Sequence, residues 1–117
     1  MAVLIEVVLS ALVLQAVPAT RPSAEDVGRA YYLFLQARIA EDENDLSTAI
    51  DSYRQAIAIL PNAAAARLDL ADLYVRQNQV EEAEREVRAA LASDPANRVA
   101  HRLLGGILGA KIESTSA

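Results

Sequence analysis

Small and large apolar residues recur along this chain at a fixed interval. The segments AIAILPN (56–62) and ALASDPA (90–96) each close an apolar stretch with proline, and 95 − 61 = 34. A shift of 34 aligns Ala37 with Ala71 and Gly105, Ala49 with Ala83, Ala56 with Ala90, Ile57 with Leu91 and Leu70 with Leu104. So many matches at small or apolar positions mark repeated units. No glycine occurs between Arg29 and Leu104, and Pro61 and Pro95 are the only prolines there, so the elements inside each unit are long. Hydrophobic residues make up 53 % and aromatics only 4 %, with alanine dominant. That balance favours helices, because alanine, leucine, arginine and glutamate lose little side-chain freedom in them.

Each unit reads as two helices. Ser23-Ala24-Glu25-Asp26 opens the first, with the Ser23 hydroxyl placed to accept from the Asp26 N–H. That helix runs to about Glu43, and Asn44 and Asn78 stand at equivalent stops, where asparagine tolerates the left-handed conformation after a helix. Second helices follow over 46–60 and 80–93, and proline ends each because it lacks an N–H and restricts the residue before it. Asn62 and Asn97 are expected to cap the helices that come next. Small residues at 37, 49, 56, 71, 83 and 90 let paired helices approach to the short end of the roughly 8–10 Å interaxial range.

A 34-residue helix–turn–helix of this pattern resembles the tetratricopeptide repeat family. The second unit carries Arg67-x2-Leu70-Ala71-x2-Tyr74, then Ala83-x3-Val87, then Pro95. The first carries Leu33-x2-Gln36-Ala37-x2-Ala40, then Ala49-x3-Tyr53, then Pro61, and departs from the family pattern at Gln36 and Ala40. A third unit begins His101-x2-Leu104-Gly105-x2-Leu108. The resemblance implies an all-α fold, a short right-handed superhelical α-solenoid of antiparallel helix pairs with two full repeats plus one extra helix. The expected divisions are 20–29 as a lead-in, 30–63 and 64–97 as the repeats, 98–112 as the first helix of an incomplete third, and 113–117 as a disordered tail.

Residues 1–19 follow another logic, being almost wholly apolar. Val7 to Val17 has the length of a signal-peptide core, and Val17-Pro18-Ala19 is a small-residue site of the cleaved kind, which implies an exported, periplasmic or secreted protein. Against that, no Lys or Arg precedes the apolar run and Glu6 interrupts it. Two alternatives stay open: an N-terminal helix packed on a cytoplasmic domain, and membrane association through 2–17 if the segment is not cleaved.

Charge and chemistry narrow the function by exclusion. A net charge of −5 is the wrong sign for a phosphate backbone, so nucleic acid is not an expected partner. There is no cysteine and one histidine, His101, so no catalytic set, metal site or cofactor is expected. The run 81–86 reads as a solvated face laced by Glu81–Arg85 and Glu84–Arg88 pairs at i,i+4. Glu41-Asp42-Glu43 ends a helix, where the helix dipole disfavours carboxylates, which makes it a candidate anchor for a basic partner segment against a plain solubilising role.

In the family it resembles, the first helix of each unit lines a concave face that holds peptides. That face is expected to present Tyr31, Phe34, Arg38 and Asp42, then Ala65, Leu68, Asp72 and Arg76, then Val99, Arg102 and Gly106. It has neither lysine nor asparagine, so the family's carboxylate clamp is absent and a mixed-polarity peptide is expected. The reading is a non-catalytic protein–protein interaction module. Its alternatives are a structural fragment of a longer solenoid and an accessory or regulatory subunit of an enzyme complex. Leu104, Ile107 and Leu108 lie at i, i+3, i+4 on the extra helix and are expected to form an uncovered patch for homodimerisation through the C-terminal helix, or for a covering partner.

Overall fold

Residues 21–116 are described by the computed structural model, and the chain enters its first helix at Ser23. The Ser23 hydroxyl accepts from the Asp26 N–H at 3.1 Å, and the Asp26 carboxylate accepts from the Ser23 N–H at 3.3 Å. This reciprocal box opens α1 (Ala24–Asp42). α2 (Leu46–Ile59), α3 (Ala64–Arg76), α4 (Val80–Ser93) and α5 (Arg98–Ser116) follow, and no strand occurs among the described residues. α1 packs on α2, α3 on both α2 and α4, and α5 on α4 with a lighter touch on α3. The all-α stack of helix pairs is therefore as the 34-residue period requires. The apolar segment 1–19, with its signal and membrane readings, lies outside the described residues.

The two hairpin turns are the same structure built twice. Asn44 and Asn78 both sit at φ 60°, the left-handed region. After α1, the Asn44 N–H donates to the Glu41 carbonyl at 2.9 Å and the Asp45 N–H to the Ala40 carbonyl at 2.8 Å. After α3, the Asn78 N–H donates to Val75 at 3.0 Å and the Gln79 N–H to Tyr74 at 2.8 Å. Both are Schellman caps, which satisfy carbonyls that a helix end leaves without partners. The connections after α2 and α4 also match. Arg67 Nε donates to the Pro61 carbonyl at 2.9 Å, and His101 Nε2 lies 2.7 Å from the Pro95 carbonyl. Since 67 + 34 = 101, these are one repeat position with one task, and the lone histidine is accounted for as the tie that closes a proline turn.

The core confirms the small-residue logic. Ala37, Ala49, Ala71, Ala83 and Ala90 are all 0 % exposed, and Tyr53, Leu70, Leu73 and Val87 fill the space between them. The departure at Ala40 has a compensation. In the second pair the first helix carries the large ring (Tyr74) and the second a smaller residue (Val87); in the first pair the equivalent positions, Ala40 and Tyr53, exchange these sizes. All four are buried in one continuous core, so the ring volume is kept while its owner changes. Phe34 meets Tyr53 edge-on, with ring centroids 5.6 Å apart. Gln36 faces outward and donates to the Tyr32 hydroxyl at 2.8 Å.

Three expectations need correction. Asn62 caps nothing: Ala63 occupies the position before α3 and makes no side-chain cap, whereas Asn97 accepts from the Ala100 N–H at 2.9 Å as expected. Residues 113–116 are helical and not a disordered tail; the Ser114, Thr115 and Ser116 hydroxyls donate to carbonyls three or four residues back, at 2.8–3.2 Å. Arg85 pairs with Glu82, at 3.8 Å, in place of Glu81, while Arg88 does meet Glu84, at 2.9 Å.

Candidate functional site

Consecutive first helices of the units, α1, α3 and α5, contribute the walls of a trough of about 640 Å3. Its apolar floor and sides come from Leu68, Val75, Val99, Leu103 and Ile107, and its charges from Arg38, Glu41, Asp69, Asp72 and Arg102. Leu68, Asp72, Val99, Arg102, Gly106 and Arg38 are residues the sequence stripe singled out, and the fold brings them to one concavity. Tyr31 and Phe34 are not in it. They line a separate, more apolar notch of about 310 Å3 with Leu60 and a run of alanines from Ala63 to Ala66. Phe34 is half-buried against Tyr53, while Tyr31 is 65 % exposed. Asp42 is exposed and lines neither depression. The continuous stripe expected from Tyr31 to Asp42 is thus divided.

A polar network stiffens the trough wall. The Tyr53 hydroxyl donates to Glu41 Oε1 at 2.6 Å, and Arg76 donates to Glu41 Oε2 at 2.9 Å while also meeting Asp72 at 3.2 Å. Burial, and then the bond to Glu41, push the Tyr53 hydroxyl well above the usual tyrosine range, so it stays a donor. Glu41 is therefore spent on internal ties between α1, α2 and α3, and the hint that it waits for a basic partner is withdrawn for this residue. Asp42 and Glu43 have no cationic partner among the described residues.

Arg38 and Asp69 face each other at 3.4 Å, a loose pair. Burial pushes the Asp69 carboxyl up, with Arg38 pulling the other way; Asp69 in turn raises Arg38. The Arg38 guanidinium is largely exposed, so water screens its pull and burial decides the direction for Asp69. Arg102 is different: it lines the trough, is exposed, and meets no carboxylate among the described residues. It is the trough-lining cation without an ion pair among the described residues.

Sequence reasoning missed Glu41, Asp69, Val75, Val80, Leu103, Ile107 and Ala110 as trough residues. A broader stripe would have found all but Val80 and Ala110, because each of the others lies one position from a residue that was chosen.

The C-terminal patch also changes. Ile107 is 3 % exposed and belongs to the core, because the face of α5 bearing Ala100, Leu103 and Ile107 turns towards α3 and α4. Leu104 is partly buried against the same core, so of the expected trio only Leu108 stays open, at 38 %, joined by Ile112 at 68 %. Lys111 on this helix is tied to Glu84 of α4 at 2.6 Å.

No cluster of acidic, histidine or cysteine side chains that could hold a metal ion occurs among the described residues, nor any helix long and apolar enough to cross a membrane. A family model described as tetratricopeptide repeat matches residues 40–107, more than half of the chain. No curated protein matches. Repeats of this kind generally serve as protein-interaction modules.

Proposed function

This chain belongs to the tetratricopeptide repeat family, and on that premise we propose that its trough receives a peptide segment of a protein partner, without catalysis. The observation that carries this reading is Arg102, a cation that meets no carboxylate among the described residues and stands beside Val75, Val99 and Leu103. A ligand that suits both features has an acidic side chain for the guanidinium and an aliphatic one beside it for the apolar floor. Arg38 pairs with Asp69, and Arg76, outside the lining itself, bridges Asp72 and Glu41, so these charges hold one another and act as the polar rim. Selection of a displayed random-peptide library on the full chain tests the proposal. Enriched peptides are expected to share an acidic residue next to an aliphatic one and to bind Arg102→Glu at least tenfold more weakly, with the helical circular dichroism unchanged. Enriched peptides that bind Arg102→Glu as well as the parent would overturn it.

Export belongs to the same reading. The length of Val7 to Val17 and the small residues before Thr20 support removal of 1–19. Amino-terminal sequencing of the protein from a secreting host would then begin at Thr20, and an intact Met1 on exported material would refute cleavage.

A further inference from the structure

The outward face of α1 carries Tyr32, Leu35 and Ile39, at 60 %, 60 % and 57 % exposure, the largest run of open apolar side chains among the described residues. They follow Gly28 at intervals of four, three and four, the alternation of a helix–helix seam. One repeat later, Ala66 and Leu73 stand where Tyr32 and Ile39 stand in α1, and there they are 3 % and 0 % exposed because α3 has a helix pair before it. The stripe on α1 is thus a packing face without its helix among the described residues. None of its three side chains lines the trough, and its occupant is a question separate from the peptide reading.

We infer that the occupant is a second copy of the same helix, laid antiparallel across a two-fold axis beside Leu35 and Gln36. Charge supports this choice. The end of α1 carries Asp42 and Glu43 without cationic partners and has no basic residue in its last turn. Carboxylates there sit against the negative end of the helix dipole. In the antiparallel arrangement Tyr32 lies against the partner's Ile39, and Arg29 with the positive start of its helix lies alongside the partner's Asp42 and Glu43. A parallel arrangement would put these carboxylates against their own kind. Isologous pairing also closes after two copies, whereas stacking α1 on another molecule's α5 would propagate without end.

The stripe offers roughly 300–400 Å2 per copy, the size of patch that marks an interaction site. Two copies with their rims approach about 1,000 Å2, the low end for a specific interface, so association is expected on the order of tens of micromolar.

The chain has no cysteine, which makes a single-cysteine test clean. In the full chain, Gln36→Cys treated with a short bis-maleimide is expected to give a covalent dimer, while Asp51→Cys, on the exposed side of α2, gives none. Light scattering at rising concentration is expected to show the parent reaching dimer mass. Leu35→Glu should weaken this at least tenfold, and Leu108→Glu should leave it unchanged. Glu43→Lys should loosen the dimer several-fold, and adding Arg29→Glu should restore it. Since Leu35 is exposed, unchanged helicity of Leu35→Glu would certify the variant's fold. A parent that stays monomeric at 200 µM (roughly ten times the expected constant) would overturn the inference. Loss of the dimer by Leu108→Glu instead of Leu35→Glu, or no crosslink at position 36, would overturn it equally.

Discussion

The two helix pairs share a frame and solve it differently. Both turn through an asparagine at φ 60° and close with the same pair of backbone bonds. Yet α3 buries Ala66, Leu68, Leu70, Ala71, Leu73 and Tyr74, while α1 buries only Ala30, Ala37 and Ala40. The difference is not one of intrinsic helix quality. Among the described residues α3 is packed from both sides and α1 from one, so residues at equivalent positions have opposite exposures. The difference teaches that in a stacked repeat a residue's burial is set by its neighbours' presence as much as by its own type.

The strongest way to break the comparison is to remove the ring that the first pair moved to its second helix. Tyr53→Ala should cost about 3–5 kcal/mol, the loss for a buried aromatic, and it also strands the Glu41 oxygen that accepts from Tyr53. Its counterpart Val87→Ala, removing far less volume, should shift thermal unfolding much less. If the size exchange is real, Ala40→Tyr combined with Tyr53→Val should recover part of what each loses alone, a coupling of roughly 0.5–3 kcal/mol. Strict additivity of the melting shifts would show that the rings do not share one space.

A smaller effect tests what the pairs have in common. Asn44→Ala and Asn78→Ala each force an ordinary side chain into the left-handed region and should cost about 1–2 kcal/mol. Glycine at either site should be tolerated. Unequal penalties, read from denaturant midpoints, would mean the two turns are less alike than their geometry.

The smallest effect concerns the tether between Lys111 and Glu84. Lys111 and then Arg88 hold the Glu84 carboxyl below its ordinary 4.5, and Glu84 holds Lys111 above its ordinary 10.5. A depressed acid contributes stability above its unfolded value and loses it as pH falls through the folded one. The stabilising effect of the tether is therefore complete between those two ordinary values. Asp69, raised by burial, has the opposite sign and offsets part of the loss in acid. The melting gap between parent and Lys111→Met should be small at pH 7 and should narrow below pH 4.5. A gap that widens in acid would show that the ion pair is not its source.

Most of the scaffold was legible because it is written in local terms. A proline, an asparagine two residues past a helix, or an alanine at every third or fourth place acts on its own neighbourhood. The turns at 44 and 78 needed nothing else. What could not be read were arrangements that depend on two distant positions together. Tyr53 compensates Ala40 across a helix pair, and Glu41 is claimed by residues 12 and 35 places away. Ile107 looked exposed because its burial depends on which way α5 rolls against α3 and α4. Asn62 looked like a cap until the chain placed Ala63 in that role. The trough was half legible for the same reason: the period gave its stripe, and the roll of each helix decided which neighbours joined it.

The position of α3 between two helices also orders the motions of the molecule in time. Contacts in this fold run almost entirely between successive helices, so opening can start at either end without disturbing the middle. Amide protons of α5 beyond Lys111 and those of the first turns of α1 would exchange with solvent earliest. Those around Leu70 and Leu73 would exchange last, through opening of the whole stack. The α1 seam lies partly on a segment that opens early, whereas the trough, lined from Arg38 to Ala110, lies between the two early segments. A partner on the seam would therefore be detected as slowed exchange in the first turns of α1 before any change is seen at the centre of the stack.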